Sequence, residues 1–261
     1  MFQTDATLID AVTIAVLLIV LSPAVGSFLA VLVDRLPRGE DVVMARSRCR
    51  SCEETLTWGD LLPLVSFAVN RGRCRHCGTK VPPWLLAMEV AALGLAGLAV
   101  ALWPHGWPVS VLVVDVVLLW LLLALLAADL RWMRLPDVLT GALLGVALLR
   151  TLLVPSGDPL QALLGSGLGV LSFAVLRRAY WRVRGREGLG LGDVKLMAGL
   201  GAFSGPLDLP LLVLIAALLA LAGAGAVRLM GRSLGATTAL PFGAALALAG
   251  GLLWLARMLT L

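Results

Sequence analysis

The chain has 261 residues, 60% hydrophobic and 14% charged, with a mean hydropathy of +0.97 and a formal charge of +5. That balance excludes an ordinary soluble globular domain and indicates a polytopic membrane protein, in which length says little about domain count. With two histidines (His76, His105) and two lysines (Lys80, Lys195), histidine triads and serine–lysine dyads have very few possible members, and the four cysteines fall as two close pairs, a metal spacing more than a disulfide framework.

The chain opens without a basic n-region. Its first apolar run, residues 8–33, exceeds the roughly 7–15 residues of a signal-peptide core, so it is expected to be a retained transmembrane helix, with Ser22-Pro23 as a bend point. Residues 34–82 form the one sizeable hydrophilic stretch. It holds Cys49-x-x-Cys52 and Cys74-x-x-Cys77, with 21 residues between the pairs. Two such knuckles supply four thiolates, the complement of a closed tetrahedral zinc site. The competing reading is two reduced or disulfide-bonded pairs, and His76 is a bystander within the second knuckle. Further apolar runs follow at 83–103, 109–128, 137–154, 160–176, 193–203, 209–227 and 239–259. Most approach the ~20 residues that cross a bilayer; 193–203 is short, glycine-rich and suited to a partial helix. No internal repeat is evident, and the loop Arg182–Glu187 is the one segment expected to be disordered.

Counted this way there are eight spans. The predicted architecture is an all-α polytopic membrane protein divided into a first helix (1–33), a cytoplasmic zinc-type module (34–82) and a seven-helix membrane domain (83–261). Orientation follows from the basic residues. Regions 34–82, 129–136, 177–195 and 228–232 hold 9, 2, 6 and 2 of the 21 Lys and Arg, and only Arg150 and Arg257 fall towards the other side. The basic side is cytoplasmic, which places both termini outside, accounts for the net charge and removes nucleic acid as a partner. A reducing cytoplasm in turn favours thiolate–metal bonds over disulfides.

Carboxylates in or at the edge of a membrane are candidates for function. Asp129 ends the third span, Asp137 follows Leu135-Pro136, and Asp193 closes the glycine-rich run Gly188-Leu189-Gly190-Leu191-Gly192-Asp193. All three are expected at the cytoplasmic face, where a helix bundle can bring Asp129 and Asp193 together. Two carboxylates sharing one low-dielectric site do not both ionise easily, which provides a base to activate water and an acid to protonate a leaving amine. Such chemistry needs no metal. Gly188, Gly190 and Gly192 would let an extended peptide approach the backbone, although glycine runs also build plain loops and phosphate cradles. Asp129 and Asp137 could instead cap or flank helices, Asp137 being well placed at a helix start. Lys195 either snorkels to the interface or steers the potential beside Asp193. Asp115, inside the third span, has no partner in the sequence and could join a buried network or face a groove.

These residues resemble the type IV prepilin and type II prepseudopilin leader peptidases over nearly the whole chain. Gly26-Ser27-Phe28-Leu29 with Arg35-Leu36-Pro37 is similar to that family's first-helix exit, and both Cys-x-x-Cys pairs, with Trp58-Gly59-Asp60, Pro63 and Ser66 between them, resemble its cytoplasmic module. Glu89 matches an acid at the start of its next helix. Asp129 with Leu135-Pro136-Asp137, and Gly190-Leu191-Gly192-Asp193-Val194-Lys195-Leu196, resemble its two aspartyl protease motifs, and Pro241-Phe242-Gly243 matches a motif in its last span. Ala30 and Ala244 depart from the family pattern, standing where asparagine and proline are common.

The resemblance implies catalytic aspartates at Asp129 and Asp193, with Gly188, Gly190, Gly192, Lys195 and Asp137 in support, and a structural zinc held by Cys49, Cys52, Cys74 and Cys77. It implies cleavage after a glycine that removes the basic leader of prepilin-like substrates at the cytoplasmic face of the bacterial inner membrane. N-methylation of the new terminus with S-adenosylmethionine would follow. The alternatives are a peptidase without methyltransferase activity, a transporter using the acids as an ion path, and a zinc-stabilised membrane scaffold. Transport favours charges near the midplane, whereas Asp129 and Asp193 are expected at one face; only Asp115, towards the outer half of the third span, speaks for transport.

Overall fold

The computed structural model describes residues 2–42, 44–104, 106–186, 188–231 and 240–260. His105, Glu187 at the end of the Arg182–Glu187 loop, Arg232 and Ala239 lie outside the described residues. Among the described residues eight α-helices run in chain order: α1 Phe2–Arg35, α2 Val65–Val69, α3 Pro83–Ala101, α4 Val109–Trp132, α5 Asp137–Leu153, α6 Pro159–Arg184, α7 Leu191–Leu229 and α8 Phe242–Leu259. A single 3-10 turn, Leu36–Arg38, follows α1, and the extended pairing among the described residues is two isolated bridges, Arg48 with Thr55 and Arg73 with Lys80. The protein is an all-helical integral membrane protein with a four-cysteine module between its first two long helices.

Among the described residues, six helices are long and apolar enough to cross a membrane. α5, at 17 residues, sits at the lower end of the span range. The expected pair 193–203 and 209–227 appears as α7, whose 39 residues are two helical pieces parted at Gly205. Gly205 has φ 72° and ψ 172°, a backbone conformation open essentially to glycine alone, and Pro206 has no N–H to continue the ladder. The freed carbonyls are not left bare: Arg257 on α8 donates to Phe203 O at 2.8 Å and Ser204 O at 2.6 Å, and also to Asp208 Oδ2 at 2.6 Å. With α7 read as two pieces, each of the eight expected apolar runs corresponds to a helical piece among the described residues, while six helices meet the length and apolarity of a membrane span. α4 and α6 run further than expected, carrying Asp129, Arg177 and Arg178 inside helices rather than at loop edges.

The chain forms two compact units, 1–101 and 102–261, so α3 groups with α1. In the first, α1 crosses α3 closely: a Cβ on Gly26 would lie 2.7 Å from Met88 O, 2.8 Å from Glu89 Cα and 2.9 Å from Ala92 Cβ. Ala30, Ala92 and Ala96 fill the same seam, all buried. Small residues let membrane helices approach, because lipid supplies no hydrophobic drive between them. The intervening module is tied to both helices. Asp34, at the end of α1, accepts from Arg38 at 2.6 Å and Arg50 at 2.7 Å through Oδ2, and Glu89 on α3 accepts the N–H of Leu64 at 2.8 Å. Leu64 has φ 61°, so that carboxylate secures a strained loop position.

In the second unit α4 is the central element, 78% of its apolar window being buried. α5 and α8 pack on α4, and α7 packs on α5, α6 and α8. Asp115, unpaired in the sequence reading, meets Arg150 of α5 in a buried ion pair, with a second contact of 3.5 Å from Arg150 Nη2 to Asp115 Oδ2. The Arg150 guanidinium also lies 5.4 Å from the Phe203 ring centre, and that of Arg257 lies 5.1 Å from it. Buried charges need such pairing, since an isolated one is strongly destabilising. Between α6 and α7 the backbones nearly touch: a Cβ on Gly165 would collide with the Gly201 carbonyl and one on Gly201 with the Gly165 carbonyl. Gly165→Leu should therefore lower the stability of the detergent-solubilised protein by about 1–3 kcal/mol or more, the usual cost of overpacking. Gly167→Leu, whose Cβ position has no atom within 4 Å, should melt near wild type. Equal melting temperatures for the two variants would rule out this helix contact.

Candidate active site and metal centre

Asp129 occupies the last turn of α4, where Met133 closes the helix in a left-handed conformation (φ 48°) and donates its N–H to Asp129 O at 2.9 Å. Asp193 is the third residue of α7 and reaches back to accept the N–H of Gly190 on Oδ2 at 3.2 Å, satisfying one of the amides a helix start leaves open. Both aspartates are buried, at 6% and 8% exposure. Their meeting point is the start of α8. A Cβ placed on Gly243 would lie 2.9 Å from Asp193 Oδ1 and 3.0 Å from Asp129 Oδ2, so an oxygen of each carboxylate faces one bare backbone position. The two are close enough to interact electrostatically.

The third element also orients one of the acids. The N–H of Ala244 donates to Asp129 Oδ2 at 2.7 Å, and the positive end of α8 points at that carboxylate. Alanine has this N–H to give; proline, common at the corresponding position in the resembling family, does not. The start of α8 is held in turn by Phe242, whose ring stacks on Phe173 of α6 with centroids 6.3 Å apart. Sequence reasoning quoted Pro241-Phe242-Gly243 for the resemblance but gave the motif no role beside the aspartates. The available signal was a glycine and an alanine, Gly243 and Ala244, within the first turn of a helix that starts after Pro241, where amides are free for a ligand or a carboxylate.

The other residues singled out in the sequence fall around this pair. Gly192 packs against Leu135, its Cβ position 3.1 Å from Leu135 Cβ and 3.3 Å from Cδ1. Gly188 lies against the Tyr180 ring and Gly190 is the N-cap of α7. None of the three has positive φ, so close packing rather than turn geometry explains at least Gly188 and Gly192. Asp137 does not join the buried pair: it is the first residue of α5, exposed, and accepts from Lys195 Nζ at 2.7 Å. Lys195 thus links the starts of α5 and α7. Asp115 is 14 residues before Asp129 on α4, about 20 Å away at 1.5 Å per residue, and belongs to the Arg150 pair. A cavity of about 270 Å³ beside α7 is lined by Ala174, Arg177, Arg178, Trp181, Leu191 and Val194.

The four cysteines converge in the first unit, all Sγ atoms within 4.8 Å of one another. Cys49 and Cys77 sulfurs are 3.8 Å apart and those of Cys52 and Cys74 4.0 Å. A divalent ion bound tetrahedrally by thiolates at ~2.3 Å requires sulfurs roughly 3.8 Å apart. The donor set therefore fits a closed four-thiolate metal site. Each knuckle is a tight turn of the same form: Cys49 N–H donates to Glu54 O at 2.9 Å and Cys74 N–H to Thr79 O at 2.8 Å, with Glu53 and Gly78 at φ 57° and 70°. Arg48-Cys49-Arg50-Ser51-Cys52 and Arg73-Cys74-Arg75-His76-Cys77 are thus a short internal repeat that the sequence reading passed over. Its arginines diverge in use, Arg50 joining Asp34 and Arg75 pairing with Asp60 at 3.4 Å. Thr79 Oγ1 lies 3.3 Å from Cys77 Sγ and accepts from it.

Two family models match the chain: the bacterial peptidase A24 N-terminal domain over residues 20–103, and the type IV leader peptidase family over residues 116–225. A Myxococcus xanthus protein named prepilin leader peptidase/N-methyltransferase is 40% identical over 191 residues, covering 72% of this chain and 56% of that relative's length. A Klebsiella pneumoniae protein of the same name is 38% identical, covering 74% of this chain and 86% of its own. An Escherichia coli O78:H11 protein, named type 4 prepilin-like proteins leader peptide-processing enzyme, is 34% identical over 87% of this chain and 88% of its own. No solved structure matches. Elemental analysis of the purified protein is expected to find about one divalent metal ion per chain, lost in Cys52→Ser or Cys77→Ser. Undiminished metal in either variant would exclude the four-thiolate site.

Proposed function

The chain belongs to the type IV leader peptidase family, and from that premise we propose that it is a membrane aspartic endopeptidase acting on type IV prepilins or prepseudopilins. It removes their leader peptide and then N-methylates the new terminus with S-adenosylmethionine. The observation that carries the proteolytic reading is the convergence of Asp129 and Asp193 on Gly243, both buried and each held by a backbone amide.

In this reading the pair acts as one unit holding a single proton. The ionised carboxylate takes a proton from water as that water attacks the scissile carbonyl, while the protonated partner hydrogen-bonds the carbonyl oxygen. The tetrahedral intermediate then collapses as a carboxylic acid delivers its proton to the leaving amine. Ala244 N–H and Gly190 N–H fix the carboxylates, so little reorganisation is needed during reaction. Lys195 and Asp137 support the site by joining the helix starts on which it is built.

We assign the metal as zinc in a structural role, since four thiolates close its coordination and leave no position for substrate. Asp34, Arg50 and Glu89 tie that module to α1 and α3. The methyl transfer is supported by the relatives named N-methyltransferase, and S-adenosylmethionine by the family resemblance; among the described residues there is no strand-to-helix glycine turn of the nucleotide-binding kind. The distribution of basic residues supports a bacterial inner-membrane location with the aspartates at the cytoplasmic face and both termini periplasmic. The transport alternative rested on Asp115, and that acid is engaged by Arg150.

With purified enzyme and a prepilin-like substrate, Asp129→Asn and Asp193→Asn should each reduce cleavage by ~10²–10⁴-fold, the usual contribution of an acid–base group. Full activity in either, with folding intact, would sink the dyad. Gly243→Ala should also silence cleavage without removing an ionisable group, because its methyl would stand within 3.0 Å of both carboxylates. A Gly243→Ala enzyme as active as wild type would contradict the site geometry.

A further inference from the structure

Resting on the peptidase reading, we propose that Leu135 sets the side-chain size of the substrate residue that presents its carbonyl to Asp129 and Asp193, admitting glycine and rejecting larger residues. Leu135 lies in the short link between α4 and α5, and both ends of that link are pinned. Met133 closes α4 through its bond to Asp129 O. Pro136, with a ring-locked φ of −61°, caps α5 and accepts the N–H groups of Leu139 and Thr140, each at 3.1 Å. The link therefore presents the Leu135 side chain in one place.

That place is the edge of the aspartate pair. Leu135 Cδ1 is 2.8 Å from the Cβ position of Gly243, the same point that lies 2.9 Å from Asp193 Oδ1 and 3.0 Å from Asp129 Oδ2. On its other flank, Leu135 Cβ and Cδ1 are 3.1 and 3.3 Å from the Cβ position of Gly192. One half-exposed leucine thus fills the gap between two glycines that border the carboxylates. A scissile carbonyl must come within hydrogen-bond reach of a carboxylate oxygen. Its α-carbon is one bond from that carbonyl, which brings any side chain it carries against the leucine methyls. A hydrogen fits beside them, whereas a methyl group has to displace a side chain whose backbone is held at both ends. Pockets of this kind discriminate roughly 10–200-fold per added methylene-sized group.

The test uses full-length enzyme in detergent or nanodiscs, and substrates differing only at the residue before the scissile bond, as glycine, alanine or valine. For wild type, kcat/KM should fall by at least about 10-fold from glycine to alanine, and further for valine. Leu135→Ala should raise the alanine-to-glycine ratio by about 10-fold, Leu135→Val should raise it less, and Leu135→Met, which restores volume, should return it towards wild type. A Leu135→Ala or Leu135→Val enzyme that cleaves the glycine substrate with an unchanged ratio overturns the proposal. So does a wild type that accepts alanine as readily as glycine. A wild type that cleaves none of the substrates defeats the peptidase reading itself, so the two failures are distinguishable.

Discussion

The second unit is organised around a problem of charge: two carboxylates, Asp129 and Asp193, are buried at the ends of apolar helices. Both side chains are buried, so the fold must supply their hydrogen bonds. It does so with backbone amides. Asp193 takes the Gly190 amide at the start of its own helix, and Asp129 takes the Ala244 amide from α8. The second bond requires α8 to begin against the end of α4, and bare Gly243 makes that approach possible. The stacking of Phe242 on Phe173, the glycine-to-glycine contact of α6 with α7, and the packing of α7 on α8 all bear on this one junction.

Charge is handled differently elsewhere in the same unit. Where α7 breaks at Gly205, Arg257 supplies the donors its carbonyls lack, and Asp208 balances the guanidinium. Asp115 is neutralised by Arg150, and the Phe203 ring lies beside both arginines. These acids have cationic partners, whereas Asp129 and Asp193 are held by neutral amides. The two kinds of carboxylate therefore differ in their partners: cationic guanidinium groups at Asp115 and Asp208, neutral backbone amides at Asp129 and Asp193.

In the first unit the four convergent cysteines lie in a module whose described residues hold very little secondary structure, one helix of five residues and two isolated bridges. A metal crosslink can organise such a segment when its hydrophobic core is too small to do so. Arg50, inside the first knuckle, carries that order to the membrane helices through Asp34, and its guanidinium lies 5.9 Å from the Trp84 ring centre. The knuckles are built alike, yet Arg50 and Arg75 serve different partners.

Much of this was legible in the sequence because it depends on local or one-dimensional quantities. Apolar run length indicated the helices, cysteine spacing the convergence of four thiols, and the distribution of basic residues the expectation of one depth for Asp129 and Asp193. The break in α7 was visible as two short runs, since glycine and proline act on the backbone next to them. Helix ends were less legible: α4 and α6 continue past their apolar runs because charged residues can complete a helix at an interface. What only the tertiary structure decided are contacts between distant positions. Ala244 meets Asp129 across 115 residues, Arg150 answers Asp115 across 35, and Arg257 reaches the Gly205 break across more than 50. Leu135 and Gly243 carry no pattern of their own, and their place beside the carboxylates follows from how α4, α7 and α8 pack. Composition can put two acids at one depth, but the angle and closeness of three helices determine whether they face each other.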